Sequence, residues 1–592
     1  MRNRPFALPV PKSDTITESL EEGNLKNKFA GKIIFRNNLY NLETGNLTVL
    51  DKIKNEWFLE ELFIYALTNN DQNLIPALKR ITADSGLGES ERQRASETIE
   101  LIQERPAIGK GESKIPPGGT VEAKADAARK MLAGIRYPQT TDILRLLREK
   151  PAELKRLALY LIGKFNLADM IQEVCECINT PGLETDAVSV LLAFGNSAAD
   201  ELNRYYFISS GNINSSKAIL RIYAQCCPKG NMSFLVERLW SNSRELREIS
   251  LNALVKCGYN SEKDDRERLN KVIFDNFKLL TRIISCKISL HENNNGLLHR
   301  EMDKEYNRWK EYLLKLMILT HGNVIPVSER KKQSENNSNE EKFVPELAEI
   351  IYRQQEKGTI SDLANEKKKL KKLHRIFPGE VPRYKELLED IINSDYNTFS
   401  IWTKASAIRA INEIVDESMG ESVVALLFSP EEILRQEAAR LIARTDKKLY
   451  DATSGRISEM TRKSLDEIIS GKTDRNGLLY EKVKFLATIF TDINEEELLF
   501  LAEKTLFITN KQPVNNLNHM GAVLWSFREG KSDPETAIIF EKTDLIRIVT
   551  ERIGTSFFFY ILPLSDVEEF TVQYPECSFR ILKYIDKNEE RH

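Results

Sequence analysis

Glycine and proline are scarce in this chain, at 27 and 20 of 592 residues, so connections between elements are expected to be short and long helices are favoured. Cysteine is scarcer still. Seven thiols (Cys175, Cys177, Cys226, Cys227, Cys257, Cys286 and Cys577) are spread thinly, odd in number and without a Cys-x-x-Cys pair, which excludes a disulfide framework and the usual zinc-knuckle and redox spacings. There are six histidines, with no His-x-x-x-His, so no metal site is expected. Long apolar runs are missing as well. Runs such as Leu316–Leu319 and Phe557–Leu564 fall far short of the ~18–20 residues of a membrane span. Met1–Lys12 holds two arginines but no apolar stretch of ~7–15 residues, so a secretory signal is not expected and a cytoplasmic location is. Neither sign of charge dominates. Lys plus Arg is 85 and Asp plus Glu is 88, for a net charge of −3, which argues against a dedicated DNA-binding module.

What the chain does have is apolar matter, 41% of its residues, with 29% charged. That is too apolar for a disordered chain and enough for sizeable cores. At ~150 residues per domain the length allows about four domains.

The apolar residues repeat. Leu157-Ala-Leu-Tyr-Leu-Ile-Gly-Lys-Phe165, Ala187-Val-Ser-Val-Leu-Leu-Ala-Phe-Gly195, Ala218-Ile-Leu-Arg-Ile-Tyr-Ala-Gln-Cys226 and Ile249-Ser-Leu-Asn-Ala-Leu-Val-Lys-Cys257 start 30, 31 and 31 residues apart. Each carries small or aliphatic residues at the spacing of one buried helix face and follows a shorter amphipathic stretch. The phase returns at Ala407-Ile-Arg-Ala-Ile411 and Ala438-Ala-Arg-Leu-Ile442, 31 residues apart. Between them Ser429-Pro430-Glu431-Glu432 reads as a helix start, with Ser429 as N-cap and Pro430 in the first turn. Two helices per ~31 residues is the pattern of a HEAT-type α-solenoid, whose hairpins bury their apolar faces only by stacking. In this scheme Cys226 and Cys257 are small packing residues, not reactive thiols.

Composition shifts mark boundaries. Residues 1–105 form an N-terminal helical region, including Trp57–Leu67 and Arg94–Ile102, and 106–122, rich in Gly and Pro, form a linker. The α-solenoid runs over 123–327, a polar loop over 328–342, and the repeats resume over 343–470. Residues 471–592 differ. A helix start at Glu495–Ala502 leads into β-like runs at Thr505–Thr509, Ala522–Phe527, Ala537–Phe540, Leu545–Val549 and Ser556–Leu562, and Val567–Ile585 is helical again. The fold class expected is mostly α, with a small C-terminal β-barrel-like domain closing the C-terminal end of the solenoid.

That last segment resembles a cyclic-nucleotide-binding-like domain. Leu479-Tyr-Glu-Lys-Val-Lys-Phe-Leu486, Ile489-Phe490 and Glu495–Ala502 are similar to the helices that lead into that fold, and Asp566-Val-Glu-Glu-Phe570 with Tyr574-Pro575 to its closing helix. Ser400–Ile411 and Leu426–Ala439 resemble the HEAT-like repeats that precede it in bacterial fusion proteins with a membrane domain of the ATP/ADP-translocase-like, major-facilitator type. The similarity covers about residues 390–585. A working cyclic-nucleotide site in that family needs a Gly-Glu opening a short helix and a nearby Arg for the phosphate. Between Leu517 and Phe559 there is only Arg528-Glu529-Gly530, in the wrong order. The resemblance therefore implies a degenerate domain and no bound cofactor.

Other chemistry is thin. Gly471-Lys472-Thr473, Gly530-Lys531-Ser532 and Gly109-Lys110-Gly111 each carry part of a phosphate-loop string but lack the full spacing; Gly471 follows a helical run and reads as its C-cap. His291 and His299 flank a loop-like run, and Glu431-Glu432 and Glu496-Glu497 are helix-start residues. The sharpest charge run contains Lys367, Lys368, Lys369, Lys371, Lys372 and Arg375. One reading is a solvated helix face with Leu363, Leu370 and Leu373 inward. The other is contact with anionic lipid head groups or an acidic partner.

The function expected is that of a non-enzymatic scaffold with protein partners, among them a membrane transporter of the nucleotide-carrier type or an inner-membrane assembly, peripheral at the inner face of the membrane and without specific nucleic acid. A cyclic-nucleotide-responsive regulator is the first alternative, and a HEAT-like enzyme acting on nucleic acid the second.

Overall fold

The structure is a computed structural model that describes residues 56–103 and 115–585 apart from internal stretches, the longest being 322–343, 353–361 and 510–520. The expectations for residues 1–55, most of the linker, the polar loop at 328–342 and the strings at Gly109 and Gly530 lie outside the described residues. The chain divides into two compact units, one formed by 1–228 with 486–592 and the other by 229–485.

The first stretch of the first unit is helical throughout: α1 (Glu56–Asn69), α2 (Ile75–Ala83), α3 (Glu89–Gln103), α4 (Val121–Leu132), α5 (Thr140–Arg148), α6 (Ala152–Phe165), α7 (Ile171–Cys177), α8 (Glu184–Phe194), α9 (Ala199–Ile208) and α10 (Ile213–Cys226). The first three repeat segments fall on α6, α8 and α10. On α6, Leu154, Leu157, Ala158 and Leu161 are fully buried at i, i+3, i+4 and i+7, a spacing that puts them on one face. Each such leucine contributes ~1.5–3 kcal/mol on burial. The helix stops at Asn166, whose left-handed φ of 51° and ψ of 50° suit a short amide side chain at a C-terminus. Helix α6 packs on α4, α5 and α8, and α8 on α10.

Polar side chains of α6 tie it to neighbouring helices. Arg156 Nε of α6 donates to Asp186 Oδ2 of α8 at 3.0 Å, and Tyr160 Oη donates to Asp186 Oδ1 at 2.8 Å. Lys164 Nζ donates to the Leu67 carbonyl at 2.8 Å and to that of Leu132, covering two helix C-termini whose carbonyls have no partner within their own helix. The Cys226 thiol is buried and faces the Leu191 carbonyl at 3.7 Å, so it packs between helices as its slot in the repeat predicts.

The second unit contains α11 (Ser233–Arg238), α12 (Arg244–Lys256), α13 (Lys263–Glu292), α14 (Gly296–His321), α15 (Val344–Tyr352), α16 (Asp362–Leu373), α17 (Tyr384–Asn393), α18 (Ile401–Ala410), α19 (Glu417–Leu426), α20 (Glu432–Thr445), α21 (Lys447–Ser454) and α22 (Glu459–Ile469); the division from the first unit falls inside α23 (Leu479–Ile489). The fourth repeat segment lies on α12 and the two later ones on α18 and α20. Helices α13 and α14 form a long antiparallel pair, with Ser261 N before the first bonding the Leu319 carbonyl at the end of the second at 3.1 Å. The sequence places the start of α20 two residues early. Ser429 does accept from a backbone amide, but from that of Glu431 at 3.1 Å, and Glu431 is the N-cap. Pro430 is therefore outside the helix, where the serine turn precedes it.

In the C-terminal stretch, α24 (Glu495–Lys504) leads into β1 (Leu506–Thr509), β2 (Ala522–Phe527), β3 (Glu535–Ile539), α25 (Lys542–Arg552), β4 (Phe558–Pro563) and α26 (Leu564–Gln573). The strands form one antiparallel sheet in the order β1-β4-β2-β3. Its register places Leu524 opposite Ile561 on β4 and Ala537 on β3. Leu545–Val549, expected as a strand from its β-branched residues, is helical. Leu545 and Val549, four apart, are both fully buried in one cluster with Ile508, Leu524, Ile539, Phe559 and Ile561, while Arg547 between them is exposed; a strand would put all three on one face, and a helix does not. On the other face Trp525 Nε1 donates to Tyr584 Oη at 2.9 Å.

The sequence sets this segment at the C-terminal end of the helical array. Its closing helix α26 instead packs on α8 and α10, with Arg221 of α10 over the Tyr574 ring at 4.9 Å. The Glu184 carboxyl at the start of α8 is pushed up to about 7 by burial and by Glu569 of α26 and Asp186. The observed class is mostly helical with a small four-stranded sheet.

Candidate anion-binding surfaces

Two groups of cations in the second unit form surfaces among the described residues. The first is the run predicted from sequence. On α16, Leu370 and Leu373 are buried, so the helix is held by one apolar edge, and Lys367, Lys368, Lys371, Lys372 and, just beyond it, Arg375 are exposed. Lys369 departs from the row. It is half-buried, with its Nζ 3.3 Å from Tyr306 Oη and 5.6 Å from the ring centroid. Burial, with Lys310 and Lys287 nearby, pulls its pKa down. The structure thus brings five of the six predicted cations to the outside and turns one inward as an anchor, because its spacing from Leu370 and Leu373 puts it at the buried edge. Below it, Lys287 is paired with Glu366 of α16 and with Asp303 at 2.7 Å.

The second surface is an open cleft of about 450 Å³ at the C-terminal ends of α18, α20 and α22. Arg409 forms its inner wall. Its Nε and Nη2 reach Glu437 at 2.7 and 2.9 Å and its Nη1 reaches Glu481 at 2.8 Å. The guanidinium lies 3.6 Å from the centroid of Tyr480, which stacks in turn on Trp402. Burial would lower the pKa of Arg409, but the two carboxylates outweigh it and hold it above the ordinary value. Arg440 Nη1 shares Glu437 at 3.2 Å and Arg475 Nε shares Glu481 at 3.0 Å. Arg444 donates to the Ile411 carbonyl at 2.7 Å. Ile468 and Ile469 supply a half-buried apolar wall.

Local sequence explains how Arg475 arrives there. Gly471 adopts φ +70°, and its amide and that of Lys472 bond back to Ile468 and Glu467 at 3.1 and 3.0 Å, the paired bonds of a Schellman C-cap. The Gly471-Lys472-Thr473 string is thus a helix stop. Asp474 then caps the turn Arg475–Gly477 through the Asn476 amide at 2.9 Å. The cleft was missed in the sequence, yet a signal was there: Arg409 and Arg440 occupy the same phase of the 31-residue repeat.

Elsewhere the reactive groups are withdrawn. Burial raises the Cys175, Cys226 and Cys286 thiols to about 12, which keeps them protonated and poor nucleophiles. His291 and His299 stand at the facing ends of α13 and α14, not in a loop, with ring centroids 5.9 Å apart and His299 Nδ1 3.3 Å from Asp303. Among the described residues no group of three His, Cys, Asp or Glu is placed to hold a metal ion, and no helix is long and apolar enough to cross a membrane.

No family model matches the chain, and no curated protein matches it. Among solved structures, an engineered protein from the Northeast Structural Genomics Consortium is matched at 12% identity over 78% of this chain and 98% of that one, with a TM-score of 0.17. A score that low carries no argument about the fold.

Proposed function

We propose that the protein is a non-enzymatic scaffold of the HEAT-repeat type that works by being bound, and that it rests on an anionic membrane surface through Lys367, Lys368, Lys371, Lys372 and Arg375. The observation that carries the reading is the outward row on α16, held from beneath by Leu370, Leu373 and the Lys369–Tyr306 contact. Cations near such a surface contribute ~1 kcal/mol each, so the row is sufficient for reversible attachment. The resemblance of the leading helices and of α26 to the soluble region of nucleotide-carrier-type fusion proteins supports a membrane transporter as the protein partner. The buried thiols and the many side chains bonded between helices support a binding role over turnover.

The test is co-sedimentation of the full chain with vesicles of phosphatidylcholine alone and of phosphatidylcholine with phosphatidylserine. Binding is expected only to the anionic vesicles, to weaken steeply with salt, and to fall more than tenfold when Lys367, Lys368, Lys371 and Lys372 are all changed to Gln. Equal binding of that variant, or none by the parent, would remove the membrane-facing role.

A further inference from the structure

The arginine cleft goes beyond this reading and stands whether or not α16 meets a bilayer. We infer that it binds an acidic–apolar segment of a partner protein, with carboxylates of the segment meeting Arg440 and Arg475 and an apolar side chain lying against Ile468 and Ile469.

Charge comes first. Among the described residues, the carboxylates that Arg409, Arg440 and Arg475 share are Glu437 and Glu481. Arg409 spends three nitrogens on those carboxylates, whereas Arg440 and Arg475 each reach them with one. Their remaining nitrogens face an open cleft, and Arg475 is 68% exposed. A guanidinium offers five N–H donors in a planar fork that matches a carboxylate, so two such groups beside each other form a receptor for acid side chains.

The shape then decides which anion. The volume of about 450 Å³ is many times that of a single phosphate and suits a few residues of peptide. A nucleotide needs a face for its base, and among the described residues no aromatic side chain lines the cleft; Tyr480 beneath it is covered by Arg409 on one side and Trp402 on the other. A compact dianion is also disfavoured because three helices present their C-terminal ends here, where the dipole is negative. A segment whose charges are singly negative, spread out and separated by an apolar side chain avoids that repulsion and uses the isoleucine wall. Arg409 acts as the positioning residue. It is pinned on Tyr480 and fixes Glu437 and Glu481, and these in turn orient Arg440 and Arg475.

The probe is a short fluorescein-labelled peptide alternating Glu and Leu, titrated with the full chain and read by anisotropy, beside the same peptide with Gln for Glu. Saturable one-to-one binding of the Glu peptide is expected, at least tenfold tighter than of the Gln peptide and at least tenfold weakened by Arg440→Glu or Arg475→Glu. The double reversal, with its thermal melting checked against the parent, should acquire binding to the peptide with Lys for Glu. This keeps the inference open to refutation even where a single variant misfolds. Lys368→Glu and Lys372→Glu should leave peptide binding unchanged, which separates this result from the vesicle result. Equal binding of the Glu and Gln peptides, survival of binding in both reversals, displacement by inorganic phosphate at equal concentration, or no saturable binding would each overturn it.

Discussion

The Arg156–Asp186 tie of the first unit and the Arg409–Glu437 tie of the second use one device and end differently. Each links neighbouring long helices, and each acceptor is buried, with a side-chain exposure of 1% for Asp186 and 2% for Glu437. Around Asp186 a neutral phenol, Tyr160, donates as well, and Arg156 also donates to the Gly182 carbonyl. Around Glu437 the other donor is a second arginine, Arg440, and a third is brought in through Glu481. The first arrangement only holds helices together. The second holds helices together and leaves cationic donors at the surface. A carboxylate shared between helices can therefore leave cationic donors exposed without giving up its structural bond, by taking on further arginines once its desolvation is already met.

The largest effect that would break this comparison is expected from the buried acceptors. Asp186→Ala removes the buried carboxylate that Arg156 and the Tyr160 hydroxyl share and should cost about 3 kcal/mol in urea unfolding; Glu437→Ala should cost a similar amount. A loss below ~1 kcal/mol at either site would show that the tie is not structural there.

A smaller and pH-dependent effect is common to both units. Lys164 and Lys404 bond helix-terminal carbonyls, and burial lowers each to about 8. The unfolded chain holds their protons up to ~10.4, so between pH 8 and 10 these two groups contribute stability that rises with pH, against the fall contributed by the buried thiols. Lys164→Met and Lys404→Met should each flatten that rise by about 1–2 kcal/mol in unfolding measured across the window. A variant curve that runs parallel to the parent's across that window contradicts the assignment.

The smallest effect sharpens the contrast. Arg440→Ala and Arg475→Ala, at the open side of the cleft, should change stability by no more than ~0.5 kcal/mol. Thermal melting that shows a loss as large as that of Glu437→Ala would make these arginines part of the framework.

Much of the helical scaffold was legible. The segments at Leu157, Ala187, Ala218 and Ile249 all lie on helices because a buried stripe at i, i+3, i+4 and i+7 is itself a helix signal. The stop at Gly471 was legible because a positive φ after an apolar run favours glycine. Leu545–Val549 was not. β-Branched residues favour strands locally, and here the burial of Leu545 and Val549 with Arg547 exposed between them, which a strand does not allow, overrode that preference. The row on α16 was visible as composition, but the inward turn of Lys369 depends on Tyr306, 63 residues away.

From the sequence alone came what is periodic or local: the paired helices, their caps, the change of character near residue 471 and the cationic run. Only the tertiary structure decided which polar groups meet, because contacts such as Arg409 with Glu481 or Arg221 with Tyr574 join residues dozens to hundreds of positions apart, and a repeat pattern fixes the spacing of faces without saying what is brought against them.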